Sequence, residues 1–367
     1  MKLRIDSEKL SIFGYFILVI AIGTLLLSLP GAWTGPGRLS LLDALFTATS
    51  AVCVTGLIVV DTALYSGFGQ LVILLLIQSG GLGIVTFATL YVAVPRRKVS
   101  LVNRGIIKDM YIDEVDSDPR TIVRSIVVST LVVELAGAVV LYARFRAAGG
   151  RAGFGAVFHA VSAFCNAGFS TYSTGLNAFV SDPVVNLVIM LLVVTGGIGF
   201  VVLQDIVKVL LGERRRLAYH TRLVLLMTGV LISGAAVFFL VLEWNGAYAT
   251  LAWPDRVMAA IFQAVTPRTA GFDTVPQANL GLASTALVLA LMFTGGSPGS
   301  TAGGVKTTTV FVGLLAAFRG HEEDGSIEFR GGMLSSGAVA RALSILAKAV
   351  VLAFMAVLGM LIAESNT

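Results

Sequence analysis

Three stretches of this chain carry the same short pattern, and its residue types suit the coordination of a bare cation. The first is Ser50-Ala51-Val52-Cys53-Val54-Thr55-Gly56-Leu57. The second is Ser162-Ala163-Phe164-Cys165-Asn166-Ala167-Gly168-Phe169, and the third Val265-Thr266-Pro267-Arg268-Thr269-Ala270-Gly271-Phe272. Each closes on a small residue, a glycine and a large apolar residue. Glycine reaches backbone angles closed to other residues, so it lets successive carbonyls point the same way. A ring of such carbonyls can replace the water around a dehydrated cation. Cys53, Val54, Thr55 and Gly56, Cys165, Asn166, Ala167 and Gly168, and Arg268, Thr269, Ala270 and Gly271 therefore read as strands of an ion-selectivity filter. Such strands act mainly through backbone, which leaves side-chain identity free to vary.

Helices must hold these strands at membrane depth. Each copy follows a short apolar segment: Leu41–Val52, Phe154–Phe164 and Arg256–Val265. A helix of about a dozen residues rises only ~18 Å against a hydrocarbon core of about 30 Å, so these suit re-entrant half-helices. Asp43 complements the N-terminus of the first. Longer apolar runs flank them: Ser11–Leu29 and Gln70–Val94, Ile122–Tyr142 and Pro183–Leu211, Leu223–Trp244 and a return beginning near Leu282, then Ala338–Ala363. The expected fold is an all-α polytopic membrane protein, with helix–half-helix–helix units around a central pore. The units divide as 1–94, 95–211 and 212–319, and 320–367 supplies the first helix of an incomplete fourth.

A second signature lies on the returning helices. Ser79-Gly80-Gly81-Leu82-Gly83 and Thr195-Gly196-Gly197-Ile198-Gly199 suit close helix packing, where small residues let backbones approach. The third copy runs on as Thr294-Gly295-Gly296-Ser297-Pro298-Gly299-Ser300-Thr301-Ala302-Gly303-Gly304-Val305-Lys306, too rich in glycine and hydroxyls for an ordinary membrane helix. Irregular backbone at membrane depth is tolerated where it is buried in protein or lines a water-filled cavity. Residues 295–309 are therefore expected to form an intramembrane loop that gates the pore. Lys306 either meets that gate or a regulatory partner, or marks a cytoplasmic helix end.

Composition sets the class. Hydrophobic residues make up 56% and charged residues 13%, against about 25% charged in soluble domains. Ser11–Leu29 lacks the small-residue cleavage site of a signal peptide and reads as a retained helix. Of the 26 lysines and arginines, only Arg38, Arg144, Arg146, Arg151, Arg256 and Arg268 lie outside or in the third filter copy. That asymmetry sets the N-terminus in the cytoplasm, and it explains the net charge of +5 without nucleic acid. The cluster Arg144, Arg146 and Arg151 is its exception. Cys53 and Cys165 read as two packed thiols, with a disulfide across the filter as the alternative.

The three filter copies together with Gly295–Thr309 resemble the Trk/Ktr/HKT superfamily of potassium transporters, and the absence of an extra helix pair before the first unit is closest to the Ktr-type membrane subunit. The resemblance implies potassium uptake across the plasma (inner) membrane, with K+ as the transported ion and Na+ as a stimulator. It further implies a homodimer and a cytoplasmic nucleotide-binding regulatory ring. Glycine at all three filter positions matches the potassium-preferring pattern. The family carries four units in one chain, whereas this sequence reaches only the first helix of the fourth. A chain lacking the fourth filter strand is expected not to take up potassium selectively by itself, since carbonyls must surround the ion.

Other classes have less support. An intramembrane enzyme needs a polar catalytic set, yet Ser297, Ser300 and Thr301 have no histidine in their segment, and His159, His220 and His321 show no metal-ligand spacing. A non-conducting remnant or accessory protein is the other alternative. Arg268 would repel a cation, so it is expected to turn away and pair with a carboxylate, Glu134 being one candidate. Asp61 and Asp273 either raise the cation concentration at the mouth or are ordinary loop acids.

Overall fold

The computed structural model describes residues 7–93, 119–148, 152–319, 326–329 and 332–365. The basic connection expected at 95–118, Arg151 and the polar turn with His321, Glu322, Glu323 and Asp324 lie outside the described residues. Helices α1 (Ser7–Leu27), α2 (Leu41–Val52) and α3 (Gly67–Ala93) come first. They are followed by α4 (Pro119–Ala148), α5 (Ala152–Phe164), α6 (Pro183–Ile198) and α7 (Phe200–Leu210). Next stand α8 (Tyr219–Glu243), α9 (Trp253–Val265), α10 (Leu282–Phe293) and α11 (Thr307–Phe318). A two-stranded antiparallel ribbon, β1 (Ile327–Phe329) with β2 (Gly332–Leu334), precedes α12 (Ser336–Ser365). The ribbon replaces part of the expected polar turn because Ile327 is buried against Val312, Ala316, Val339 and Ala342.

Among the described residues, α3, α4, α8 and α12 are each long and apolar enough to cross a membrane. Their outer faces are apolar: Leu131, Leu135 and Val139 recur at helical spacing on α4 and are exposed, while Thr130, Glu134, Ala138 and Leu141 turn inward. Water could not satisfy that pattern, but lipid can. The short helices α2, α5 and α9 are the half-helices. Ser40 caps α2 by accepting from Asp43 N (3.0 Å), and burial dominates α5, where ten of its thirteen residues from Ala152 to Phe164 are buried. His159 on α5 belongs to this core. Its Nδ1–H donates to Gly155 O (2.7 Å), its Nε2 accepts from Ser170 (2.9 Å), and its ring stacks on Tyr172 at 5.1 Å.

Two returning helices are broken. The run Pro183–Leu211, expected as one span, bends by 106° between α6 and α7. The hinge is Gly199 (φ 96°), where a methyl group would strike Pro298 O. Only glycine fits both the angle and the space. The third return stops at Phe293 and resumes at Thr307, so residues 307–309 open α11 instead of belonging to the expected loop.

Asp182 caps the start of α6 by accepting from Val184 N (3.0 Å) and Val185 N (3.1 Å). Arg144 pairs with the same carboxylate at 2.8 Å. This ion pair accounts for one member of the exceptional basic cluster.

Candidate ion-conduction site

Each candidate filter strand begins at the C-terminal end of a short helix, where the helix dipole is negative. Its backbone then alternates in hand. Val54 and Gly56 have φ of 56° and 72°, Asn166 and Gly168 58° and 70°, Thr269 and Gly271 74° and 78°. Val54, Asn166 and Thr269 are the only non-glycine residues with positive φ among the described residues. For an L-residue that region costs roughly 1–2 kcal/mol, so the surroundings must enforce it. Alternation of this kind turns successive carbonyls to one side.

Hydrogen bonds supply the enforcement. Cys53 N, Val54 N and Thr55 N return to Thr49 O (2.8 Å), Ala51 O (3.3 Å) and Ser50 O (3.0 Å). Cys165 N, Asn166 N and Ala167 N repeat this on Val161 O (2.9 Å), Ala163 O (3.1 Å) and Ser162 O (2.7 Å). In the third strand Arg268 N reaches Val265 O (3.3 Å), while Ala270 N and Gly271 N share Thr266 O (2.9 and 3.3 Å). A hydroxyl locks each turn. Ser162 donates to Phe169 O (2.8 Å), Thr266 donates to Phe272 O, and Ser50 accepts from Thr55 Oγ1 (2.9 Å). Sequence reasoning missed these hydroxyls, although one precedes every filter. The amide groups are thus spent inward, and no described residue donates a hydrogen bond to any carbonyl of residues 53–56, 165–168 or 268–271.

The strands converge. A methyl group on Gly56 would lie 2.6 Å from Ala167 O, and one on Gly168 would lie 2.7 Å from Ala270 O and 3.0 Å from Gly271 Cα. Glycine is needed here twice over, for its φ and for the neighbour's carbonyl. Behind the strands, methyl groups on Gly80 and Gly196 would strike Val52 O and Phe164 O, the last carbonyls of two half-helices. These two signatures are packing surfaces. Both cysteines are free thiols, but only Cys165 is packed as expected, since Cys53 is exposed.

The charged residues depart from expectation. Glu134 does not meet Arg268. Its Oε2 accepts from Gln78 Nε2 (3.1 Å), and Cys165 Sγ lies 3.9 Å from its Oε1. Arg268 is buried against Val265, Val193 and Thr228 and donates from Nη2 to Gly295 O (3.4 Å). The two charges occupy different seams, Glu134 between the first and second strand groups and Arg268 between the second and third. Asp61 caps the turn Thr62–Leu64 by accepting from Ala63 N (2.8 Å), and Asp273 O accepts from Leu176 N (3.0 Å). Both acids have these structural contacts close to the filter.

The loop from Gly295 to Lys306 is a closed hairpin. Gly295 N bonds Val305 O (3.1 Å), Val305 N bonds Phe293 O (3.0 Å), and Gly296 N bonds Gly303 O (3.2 Å). Ser300 Oγ donates to Ser297 O (2.6 Å), Ser297 and Thr307 share a hydroxyl bond (2.9 Å), and Lys306 Nζ caps Ala302 O (2.7 Å). Lys306 therefore points into the hairpin. Its tip docks on the α6–α7 corner: Ser297 N reaches Gly197 O (2.9 Å), Thr301 N reaches Gly196 O (3.2 Å), and Gly299 O accepts from Phe200 N (3.0 Å). Pro298 O faces Gly199 across the same corner. The filter joins in. Asn166 Nδ2 donates to Thr301 Oγ1 (2.9 Å), and Gly303 N donates to Thr269 Oγ1 (3.2 Å), with Gly304 (φ 69°) completing the turn back.

This architecture has known counterparts. A family profile described as "TrkH: Cation transport protein" matches residues 3–362. Ktr system potassium uptake protein B of Bacillus subtilis is 40% identical over 330 residues, covering 87% of this chain and 73% of that protein. The potassium/sodium uptake protein NtpJ of Enterococcus hirae is 34% identical over 372 residues, covering 100% of this chain and 81% of its own length. The crystal structure of the potassium transporter TrkH from Vibrio parahaemolyticus shares the fold, with a TM-score of 0.67 at 22% identity over 94% of this chain and 70% of that one.

Proposed function

Because this chain belongs to the TrkH family of cation transport proteins, we propose that the carbonyls of residues 53–56, 165–168 and 268–271 line three sides of a pore through which potassium is taken up. It is a membrane protein that carries potassium across the bilayer, as its relatives' names describe for them. The observation that carries the filter reading is the alternating backbone hand, which leaves those carbonyls without amide partners. An ion shedding its water needs such oxygens, held in place beforehand. Half-helix C-termini add a negative potential behind each strand. The Gly295–Lys306 hairpin is the gate, since it bonds to both Asn166 and Thr269. Na+ stimulates transport, the N-terminus is cytoplasmic, and the chain works as a homodimer on a cytoplasmic nucleotide-binding ring.

Gly56→Ser tests the filter. The added side chain meets Ala167 O and must displace it. In proteoliposomes of a version that carries a fourth filter unit, the ratio of potassium to sodium uptake is expected to fall about tenfold, equivalent to ~1.4 kcal/mol of discrimination. An unaltered ratio in folded protein overturns the assignment.

A further inference from the structure

Three residues that line one small cavity behind the filter each carry a buried polar atom without a partner among the described residues. Asn166 Oδ1, Thr228 Oγ1 and Arg268 Nε have no hydrogen-bond partner among the described residues. Their residues are 1%, 5% and 8% exposed. All three residues line the same cavity, which Val193, Gly197 and Gly296 also line and which has a volume of about 10 Å³. The orientation of the Asn166 amide is fixed, because its nitrogen donates to Phe164 O (3.3 Å), Val193 O (3.4 Å) and Thr301 Oγ1 (2.9 Å). The orphan atom is therefore its oxygen, an acceptor. Arg268 Nε–H is a donor, and the Thr228 hydroxyl can act either way.

We propose that one ordered water occupies this cavity, accepting from Arg268 Nε–H, donating to Asn166 Oδ1 and bonding the Thr228 hydroxyl, and that it joins the gate hairpin to the filter. The volume is that of one water, and three polar partners are the usual complement of a buried one. An anion would meet the Asn166 oxygen and a cation the Arg268 guanidinium, so a neutral molecule that both donates and accepts is what fits. The position gives the water its role. Asn166 and Arg268 each hold the hairpin with another nitrogen, through Thr301 Oγ1 and Gly295 O. Both are filter residues, one on the second strand and one on the third. Thr228 on α8 supplies an anchor outside filter and hairpin. When the hairpin withdraws, the two side chains it releases lose the water's geometry as well.

The coupling half of the proposal rests on the gate reading given above; the water site does not. The experiment uses the intact protein in lipid nanodiscs, with Thr228→Val, which keeps the shape and removes the hydroxyl, and Thr228→Ser, which keeps the hydroxyl. A cryo-EM map that shows other buried waters is expected to show one peak in the cavity for the native chain and T228S, and none for T228V. Potassium flux by T228V is expected to rise several-fold, with T228S close to native. A native map without the peak overturns the site. A peak lost in T228V with unchanged flux overturns the coupling and leaves the gate reading standing, because that reading is tested separately by removing the hairpin tip.

Discussion

At the scale of single residues, Asp182 offers the clearest test of electrostatics. Burial raises its carboxyl, but the Arg144 hydrogen bond and the amides of Val185 and Val184 outweigh that and hold it below the usual carboxylate range. A group lowered on folding stabilises the protein above its unfolded value, about 3.9, and loses that contribution as pH falls through the folded value. Asp182→Asn keeps a good helix cap and removes only the ion pair. Because Arg144 is half exposed, the expected cost at pH 7 is below about 1 kcal/mol. Melting curves should show native protein and D182N converging as pH falls toward 3; a gap that widens on acidification refutes the account. The positive-φ glycines Gly56, Gly168 and Gly271 were legible in the sequence because three copies mark them together. Val54 and Thr269 were not, since β-branched residues disfavour a left-handed backbone, and Asn166 alone is of a type that visits it readily. The hydroxyls that enforce it carry no special signal either, as serine and threonine are common in half-buried helix ends.

At the scale of elements, the half-helices were read well and the breaks were not. Leu41–Val52 matches to the residue, because a Ser-x-x-Asp start and a glycine-closed strand bound it. The other two begin slightly earlier than Phe154 and Arg256, at Ala152 and Trp253, where the first has no capping side chain in the sequence to mark it. The bend at Gly199 was illegible for a physical reason: its cause is Pro298, a neighbour in space that lies far along the chain. The hairpin, by contrast, was visible in composition, although its last residues turned out to be helical. Deleting Gly299–Gly304 removes the tip that bonds Gly196, Phe200 and Thr269. Potassium flux is expected to rise several-fold and to depend less on the cytoplasmic partner. Native rates and native partner dependence in that deletion would reduce the hairpin to packing.

For the whole molecule, the seams between units decide what repeats cannot. Internal repetition suggests units but does not say which charge faces which seam, and Glu134, one candidate partner for Arg268, meets Gln78 and Cys165 instead. On the filter reading, stability is expected to depend on the ion. Carbonyls held edge to edge without donors repel one another, and a bound cation would tie three strand groups together. A ligand at a hundred times its dissociation constant stabilises by about 2.7 kcal/mol. Melting temperature in detergent should therefore climb with potassium and saturate, and stay low in N-methylglucamine. Identical melting in both salts would remove the ion from these carbonyls.

The docking of the hairpin across the α6–α7 corner has a consequence for heredity. The clasp belongs to two units at once, Gly196, Gly197 and Gly199 on one side and Ser297 to Thr301 on the other. Recombination that exchanged the third unit alone would set one parent's latch against another parent's keeper. Residues 183–211 and 294–307 are thus expected to pass on as a single block, although most of a hundred residues separate them along the chain.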